Sequence, residues 1–171
     1  MSLAEDLASH GQKPEFDMQL LQREAEIFFD GHESRLAIKT ADFILENVEN
    51  NNPDVLVVKG KSLARLNQYE EAIQTFKKAV EANPDLVKGW YHMGRTLSAD
   101  DQHEKALQSF DQAIKIDSKF ADAYIGKAFT LMTLERFDEA LENAEKAVQV
   151  KPDIPIYRNI YQTVLDVSES Q

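Results

Sequence analysis

The feature that most constrains this chain is a period. Asn52-Pro53-Asp54, Asn83-Pro84-Asp85, Asp117-Ser118-Lys119 and Lys151-Pro152-Asp153 punctuate it at steps of 31, 34 and 34 residues. Segments 53–86, 87–120 and 121–154 superpose without gaps, and their side chains fall into register. Position 4 holds Leu56, Trp90 and Tyr124, position 8 holds Gly60, Gly94 and Ala128, and position 11 holds Leu63, Leu97 and Leu131. Position 20 is alanine in all three segments (Ala72, Ala106, Ala140), as is position 27 (Ala79, Ala113, Ala147). Position 24 reads Phe76, Phe110, Ala144. A fixed period of this length marks an array of like units stacked along one direction.

The spacing inside each unit states its secondary structure. Positions 4, 8 and 11 are i, i+4 and i+7, one stripe of a first helix, and positions 20, 24 and 27 repeat that stripe on a second. Short polar turns separate them: Asn67-Gln68, Asp100-Asp101-Gln102 and Glu135-Arg136. Small residues at positions 8 and 20 let paired helices approach, while bulky ones at 4 and 24 fill the space beside them. A single pair cannot bury both faces, so each unit needs the next.

This pattern of large, small and proline positions resembles the tetratricopeptide repeat (TPR), a 34-residue helix–turn–helix unit. The resemblance implies an all-α fold: an α-solenoid of stacked antiparallel helix pairs, wound as a right-handed superhelix, with a C-terminal capping helix. Three positions depart from the pattern. Position 7, usually large and apolar, is Lys59, Met93 and Lys127; Ser118 replaces a closing proline; Ala144 replaces a large residue. The two lysines are expected to snorkel their amines to water.

The flanks continue the theme with less regularity. Met18, Leu21, Ala25, Phe28 and Phe29 make one stripe, and Ala37, Ala41, Ile44, Leu45 and Val48 another, the second helix reading about one turn longer than in the regular units. The expected organisation is a tail over 1–13, a degenerate capping hairpin over 14–52 opened by Pro14, TPR units over 53–86, 87–120 and 121–154, and a capping helix with tail over 155–171. Tyr157, Ile160, Tyr161 and Val164 give that last helix its apolar stripe, and Val167 to Gln171 are expected to fray.

Composition narrows function. The chain has 171 residues, no cysteine and a formal charge of −11. There is no thiolate chemistry, and bulk charge opposes a phosphate backbone, so neither nucleic acid nor a Cys-ligated metal is expected. No apolar run approaches the roughly 20 residues that span a bilayer, and Met1-Ser2-Leu3-Ala4-Glu5-Asp6 starts acidic, so no membrane association and a cytoplasmic setting are expected. His10, His32, His92 and His103 lie in a tail, a turn, a first helix and a second turn, with no converging ligand or base partner. Gly89 and Gly94 sit inside one helix and form no phosphate loop. The acidic pairs at second-helix starts suit the helix dipole. No catalytic residue, metal or cofactor is expected, and the chain reads as a non-enzyme.

In TPR arrays the first helices line a concave groove, and that resemblance assigns positions 2, 5, 6, 9, 12 and 13 to it. The candidate peptide-binding residues are therefore Val57, Lys61, Arg65, Lys88, Tyr91, His92, Arg95, Ile125, Phe129 and Met132. Lys61, Arg65, Lys88 and Arg95 would make a basic patch, and Ile125, Phe129 and Met132 an apolar one. Glu70, Glu71, Glu81, Glu104, Asp111, Glu139, Glu142 and Glu145 fall on second helices or their turns. The expected partner is a protein or peptide, an extended segment or helix with an acidic stretch and an apolar anchor. A simpler reading makes these cations a solvated face. Some TPR domains clamp the terminal carboxylate of chaperone tails with Lys, Asn and Arg; the matching slots here hold Val57, Lys61, His92, Asp122 and Gly126, which disfavours that role. Two alternatives stay open: a homo-oligomerising assembly module, and a substrate-recruiting segment of a larger enzyme such as a glycosyltransferase. An apparent C-terminal cap speaks against the latter.

Overall fold

Asn52 and Pro53 show how a unit begins. In the computed structural model the Asn52 side-chain oxygen accepts from the backbone N–H groups of Asp54 and Val55, each at 3.1 Å. Pro53 occupies the first helical turn, where its missing N–H costs nothing. The structure describes residues 18–169. Among them the regular elements are helices alone: α1 (Met18–Asp30), α2 (Ser34–Asn47), α3 (Pro53–Arg65), α4 (Tyr69–Ala82), α5 (Val87–Ala99), α6 (His103–Ile116), α7 (Ala121–Thr133), α8 (Phe137–Val150) and α9 (Pro155–Glu169). The fold is an all-α solenoid of helix pairs. The starts of α3, α5, α7 and α9 repeat every 34 residues, as do those of α4, α6 and α8.

Two expectations are corrected. Helix α2 has 14 residues, the same as α4, α6 and α8, so the capping pair has no extra turn. The apolar stripe ran on to Val48 only because that residue closes the helix as its cap. Helix α9 runs through Val167 and Ser168 to Glu169, with the Ser168 hydroxyl donating to the Leu165 carbonyl at 2.8 Å. Pro14 and the tail over 1–13 lie outside the described residues.

Every first helix with a second helix after it ends the same way. His32, Asn67, Asp101 and Glu135 have φ of 64°, 60°, 56° and 58°. The next residue's N–H reaches five back: Glu33 to Phe28, Gln68 to Leu63, Gln102 to Leu97 and Arg136 to Leu131, at 2.8–3.0 Å. This left-handed stop satisfies carbonyls the helix would orphan and turns the chain into the antiparallel partner. Asparagine and aspartate tolerate that conformation well, whereas glutamate does so at a cost.

The chain forms two compact units, Met1–Pro84 and Asp85–Gln171. In the first, Leu21, Ala41, Ile44 and Val55 make one buried cluster and Ala25, Ala37 and Val58 another, joining α1, α2 and α3. Helix α4 locks on through Phe76, fully buried against Gly60: a Cβ built on Gly60 would lie 2.7 Å from the ring. In the second unit Phe110 fills the same place, and a Cβ on Gly94 or Gly126 would stand 2.9 or 2.6 Å from it. Where position 24 is Ala144, position 8 is Ala128, so the notch closes when the ring is gone.

One buried hydroxyl in each regular repeat is satisfied within its own helix. Ser62, Thr96 and Thr130, one per repeat, donate to the carbonyls of Val58, His92 and Gly126 at 2.9 Å. Lys59 and Lys127 reach carboxylates of the preceding second helix as well as the surface: Asp42 at 2.5 Å and Asp111 at 2.6 Å. The departures at position 7 are thus inter-repeat ion pairs. Helix α9 docks through Val164, fully buried with Ala128, Leu131, Ala140 and Ala144, and through Tyr157, packed with Ala121, Ile125 and Ala147. The Tyr157 hydroxyl donates to Asp122 Oδ1 at 2.8 Å. Burial, and then the Asp122 carboxylate, push that phenol up to about 12.

Three consequences can be measured. Gly60→Ala gains about 1 kcal/mol of helix propensity but drives a methyl into a fixed ring, a cost of about 1–3 kcal/mol. Denaturant unfolding should show a net loss that vanishes or reverses in a Phe76→Ala background. Glu135→Gly should stabilise by about 0.5–1 kcal/mol, raising Tm by about 2 °C, because it removes the left-handed strain. Tyr157 holds its proton more tightly folded than unfolded, so its contribution is complete below pH 10 and is lost as pH rises towards about 12. The stability gap between wild type and Tyr157→Phe should therefore shrink across that window.

Candidate functional site

In the first unit the face presented by α1 and α3 is organised by one ring. Lys61 Nζ and the Arg65 guanidinium carbon each lie 3.9 Å from the centroid of Phe29, at the end of α1. Arg65 Nη1 also donates to the Phe29 carbonyl at 2.5 Å. Lys61 and Arg65 lie one helical turn apart on α3, so a ring at the end of the neighbouring helix can meet both. Each such contact is worth about 0.5–1 kcal/mol at an exposed site. Arg65 has no carboxylate partner among the described residues. Val57 is buried at 6% exposure, so it shapes this face from beneath and is not open to contact. Towards the other end of α3, a cleft of about 120 Å³ between α1 and α3 carries Gln22, Glu26 and Asp54 over Ala25, Val55 and Val58. The face therefore runs from acidic to basic.

In the second unit the centre is Tyr91. Its ring stands edge-on to Phe120 at 5.2 Å and tilts against His92 at 5.0 Å and Phe110 at 6.2 Å. The Arg95 guanidinium lies over it at 5.8 Å. Burial raises the Tyr91 phenol above its ordinary value, the Arg95 charge working against that shift, so the hydroxyl stays protonated at neutral pH. Lys88 and Arg95 are both exposed, and His92 is half-buried.

The expected apolar patch is smaller than the sequence reading had it. Phe129 is 49% exposed. Met132 is half-buried against the cluster around Leu131 and Val164. Ile125 is buried with Ala121, Ala147 and Tyr157, a correction that follows from α9 covering it. The acidic residues assigned to second helices or their turns, Glu70, Glu71, Glu81, Glu104, Asp111, Glu139, Glu142 and Glu145, are all exposed. Among the described residues no group of three or more His, Asp or Glu side chains is placed to hold a metal ion. No described helix is long and apolar enough to cross a membrane.

Sequence reasoning did not find the roles of Phe29 and Phe120. Phe29 was visible as part of an apolar stripe, but nothing in its spacing revealed that two cations from another helix would settle on its ring. Phe120 precedes α7 and reaches Tyr91 only through the packing of α5 against its neighbours.

Family models for TPR repeat and tetratricopeptide repeat match residues 60–100 and 97–162, together more than half of the chain. Comparison with curated proteins returned no match. Among solved structures, TTC0263, a thermophilic TPR protein of Thermus thermophilus, superposes with a TM-score of 0.80 at 19% identity, covering 94% of this chain and 86% of that one. YrrB, described as a TPR protein with an unusual peptide-binding site, gives 0.70 at 22% identity, covering 81% and 71%. The first TPR of Spaghetti (RPAP3), bound to the HSP90 peptide SRMEEVD, gives 0.64 at 18%, covering 69% and 94%. At these identities the likeness is one of fold. The family models and the 34-residue frame of helix pairs lead to one conclusion: the chain belongs to the tetratricopeptide repeat family.

Proposed function

We propose that the protein is a non-enzymatic interaction scaffold that binds a peptide segment or helix of another protein on its first-helix faces. The observation that carries this reading is the treatment of the cations there. Arg65 and Arg95 rest on aromatic rings and are not neutralised by carboxylates among the described residues, although the chain as a whole is strongly acidic. A cation held over a ring keeps its charge available while its side chain has already lost much of its freedom, which lowers the entropy cost of meeting a ligand carboxylate. Exposed Phe129 offers an apolar anchor. The complementary segment is acidic with an apolar residue nearby. Two TPR proteins of similar fold, YrrB with its peptide-binding site and RPAP3 bound to an HSP90 peptide, support the class of partner and not its identity. A cytoplasmic location belongs to the same reading.

Self-association is a second reading with its own observation. Leu20 and Ile27 on α1 are 49% and 58% exposed, and Ile154 and Ile156 at the start of α9 are 40% and 56% exposed. Apolar residues open on the outermost described helices suit contact between copies.

The two are separated by charge reversal within each unit. Lys61→Glu with Arg65→Glu, and separately Lys88→Glu with Arg95→Glu, should remove proteins that wild type captures from lysate while leaving helical circular dichroism intact. Capture unchanged in both variants would remove the first-helix faces from consideration. A mass by light scattering that rises with concentration in wild type and in both variants would favour self-association.

A further inference from the structure

A second recognition site lies away from the first-helix faces. Within the first unit, α2 and the turn joining α3 to α4 border a solvent-open cavity of about 480 Å³ lined by Arg35, Ile38, Lys39, Leu66 and Gln68. That volume falls in the range of small-ligand sites. Its charged lining residues are both cations. Arg35 and Lys39 stand at i and i+4 on α2, on one face a single turn apart, and both are exposed. Neither makes an ion pair among the described residues, whereas Lys59, Lys127 and Arg136 are all engaged by carboxylates. Leu66 is 37% exposed and Ile38 half-buried, and the turn cannot retract Leu66, because that residue caps α3.

We propose that this cavity binds a short acidic segment of a partner protein, one carboxylate held jointly by Arg35 and Lys39 and a neighbouring aliphatic side chain seated on Ile38 and Leu66. Two cations a turn apart suit a shared carboxylate through charge-assisted bonds, with the Gln68 amide as a further donor. The apolar floor supplies what a surface ion pair alone lacks, since exposed charge pairs contribute little. A second copy of the chain is the weaker occupant. Two bodies of charge −11 repel as wholes, whereas a segment with two or three carboxylates feels mainly the cations within about 8 Å. The site stands on residues separate from the first-helix faces and does not depend on the function proposed for them.

The test is an NMR titration of the full chain with acetyl-Leu-Asp-Glu-Leu-Asp-amide, beside the same peptide carrying Asn and Gln for its acids. Saturable amide shifts at 35–39 and 66–68 are expected, with affinity at least tenfold weaker in Arg35→Glu/Lys39→Glu, severalfold weaker in Leu66→Gln, and unchanged in Lys61→Glu/Arg65→Glu. The carboxamide peptide should leave those amides unmoved. The proposal is overturned by shifts confined to 57–65 or 88–95, by no saturable shift at millimolar peptide, or by equal binding of the carboxamide peptide. A dimer that Arg35→Glu/Lys39→Glu dissolves would assign the cavity to a second copy and overturn it equally.

Discussion

The contact on which the repeats depend is a phenylalanine ring seated in a glycine notch. Phe76 against Gly60, and Phe110 against Gly94 and Gly126, bring helices closer than any side chain at those glycines would allow. Close approach lets the alanines at positions 20 and 27 reach zero exposure without leaving voids. The last repeat dispenses with the ring, and alanines at 128, 140, 144 and 147 pack there with Val164 and Tyr157 from α9. The last described helix pair thus exchanges one aromatic for packing against the helix that follows it.

That geometry also decides which charges are free to act. Lysines at position 7 point at the preceding second helix and are taken up by Asp42 and Asp111. The arginines at positions 13 and 9, Arg65 and Arg95, point along the first-helix faces, where Phe29 and Tyr91 hold them over rings. Arg35 and Lys39 belong to neither class and border an apolar cavity. Three destinations for basic side chains follow from position in the repeat, and only the last two leave charge for a partner. A net charge of −11 says nothing of this, because it averages an acidic second-helix surface with these local sites.

Much of the fold was legible because each repeat tests the same physics again. An i, i+4, i+7 stripe seen once is ambiguous; seen three times at one spacing it defines helix, partner and stacking direction together. The capping pair was harder to bound, since Val48 continues the apolar stripe of α2 one residue beyond the helix. The site was less legible. The TPR resemblance placed Lys61, Arg65, Tyr91 and Arg95 on first-helix faces, but it treated Val57 and Ile125 as open to contact. Burial depends on what covers a residue, and for Ile125 the cover, Tyr157, comes from a helix further along the chain.

The sequence alone determined the period, the two helices of each unit, the polar turn between them and the small-to-large pairing at the contact, because all are set by neighbours within one repeat length. The tertiary structure alone decided that Phe29 carries two cations, that Tyr91 lies among Phe110, Phe120 and Arg95, that Tyr157 bonds Asp122, and that Arg35 and Lys39 flank a cavity. Nearly all of those contacts join side chains from different helices. Their partners depend on how helices cross and where side chains end, which local periodicity does not encode.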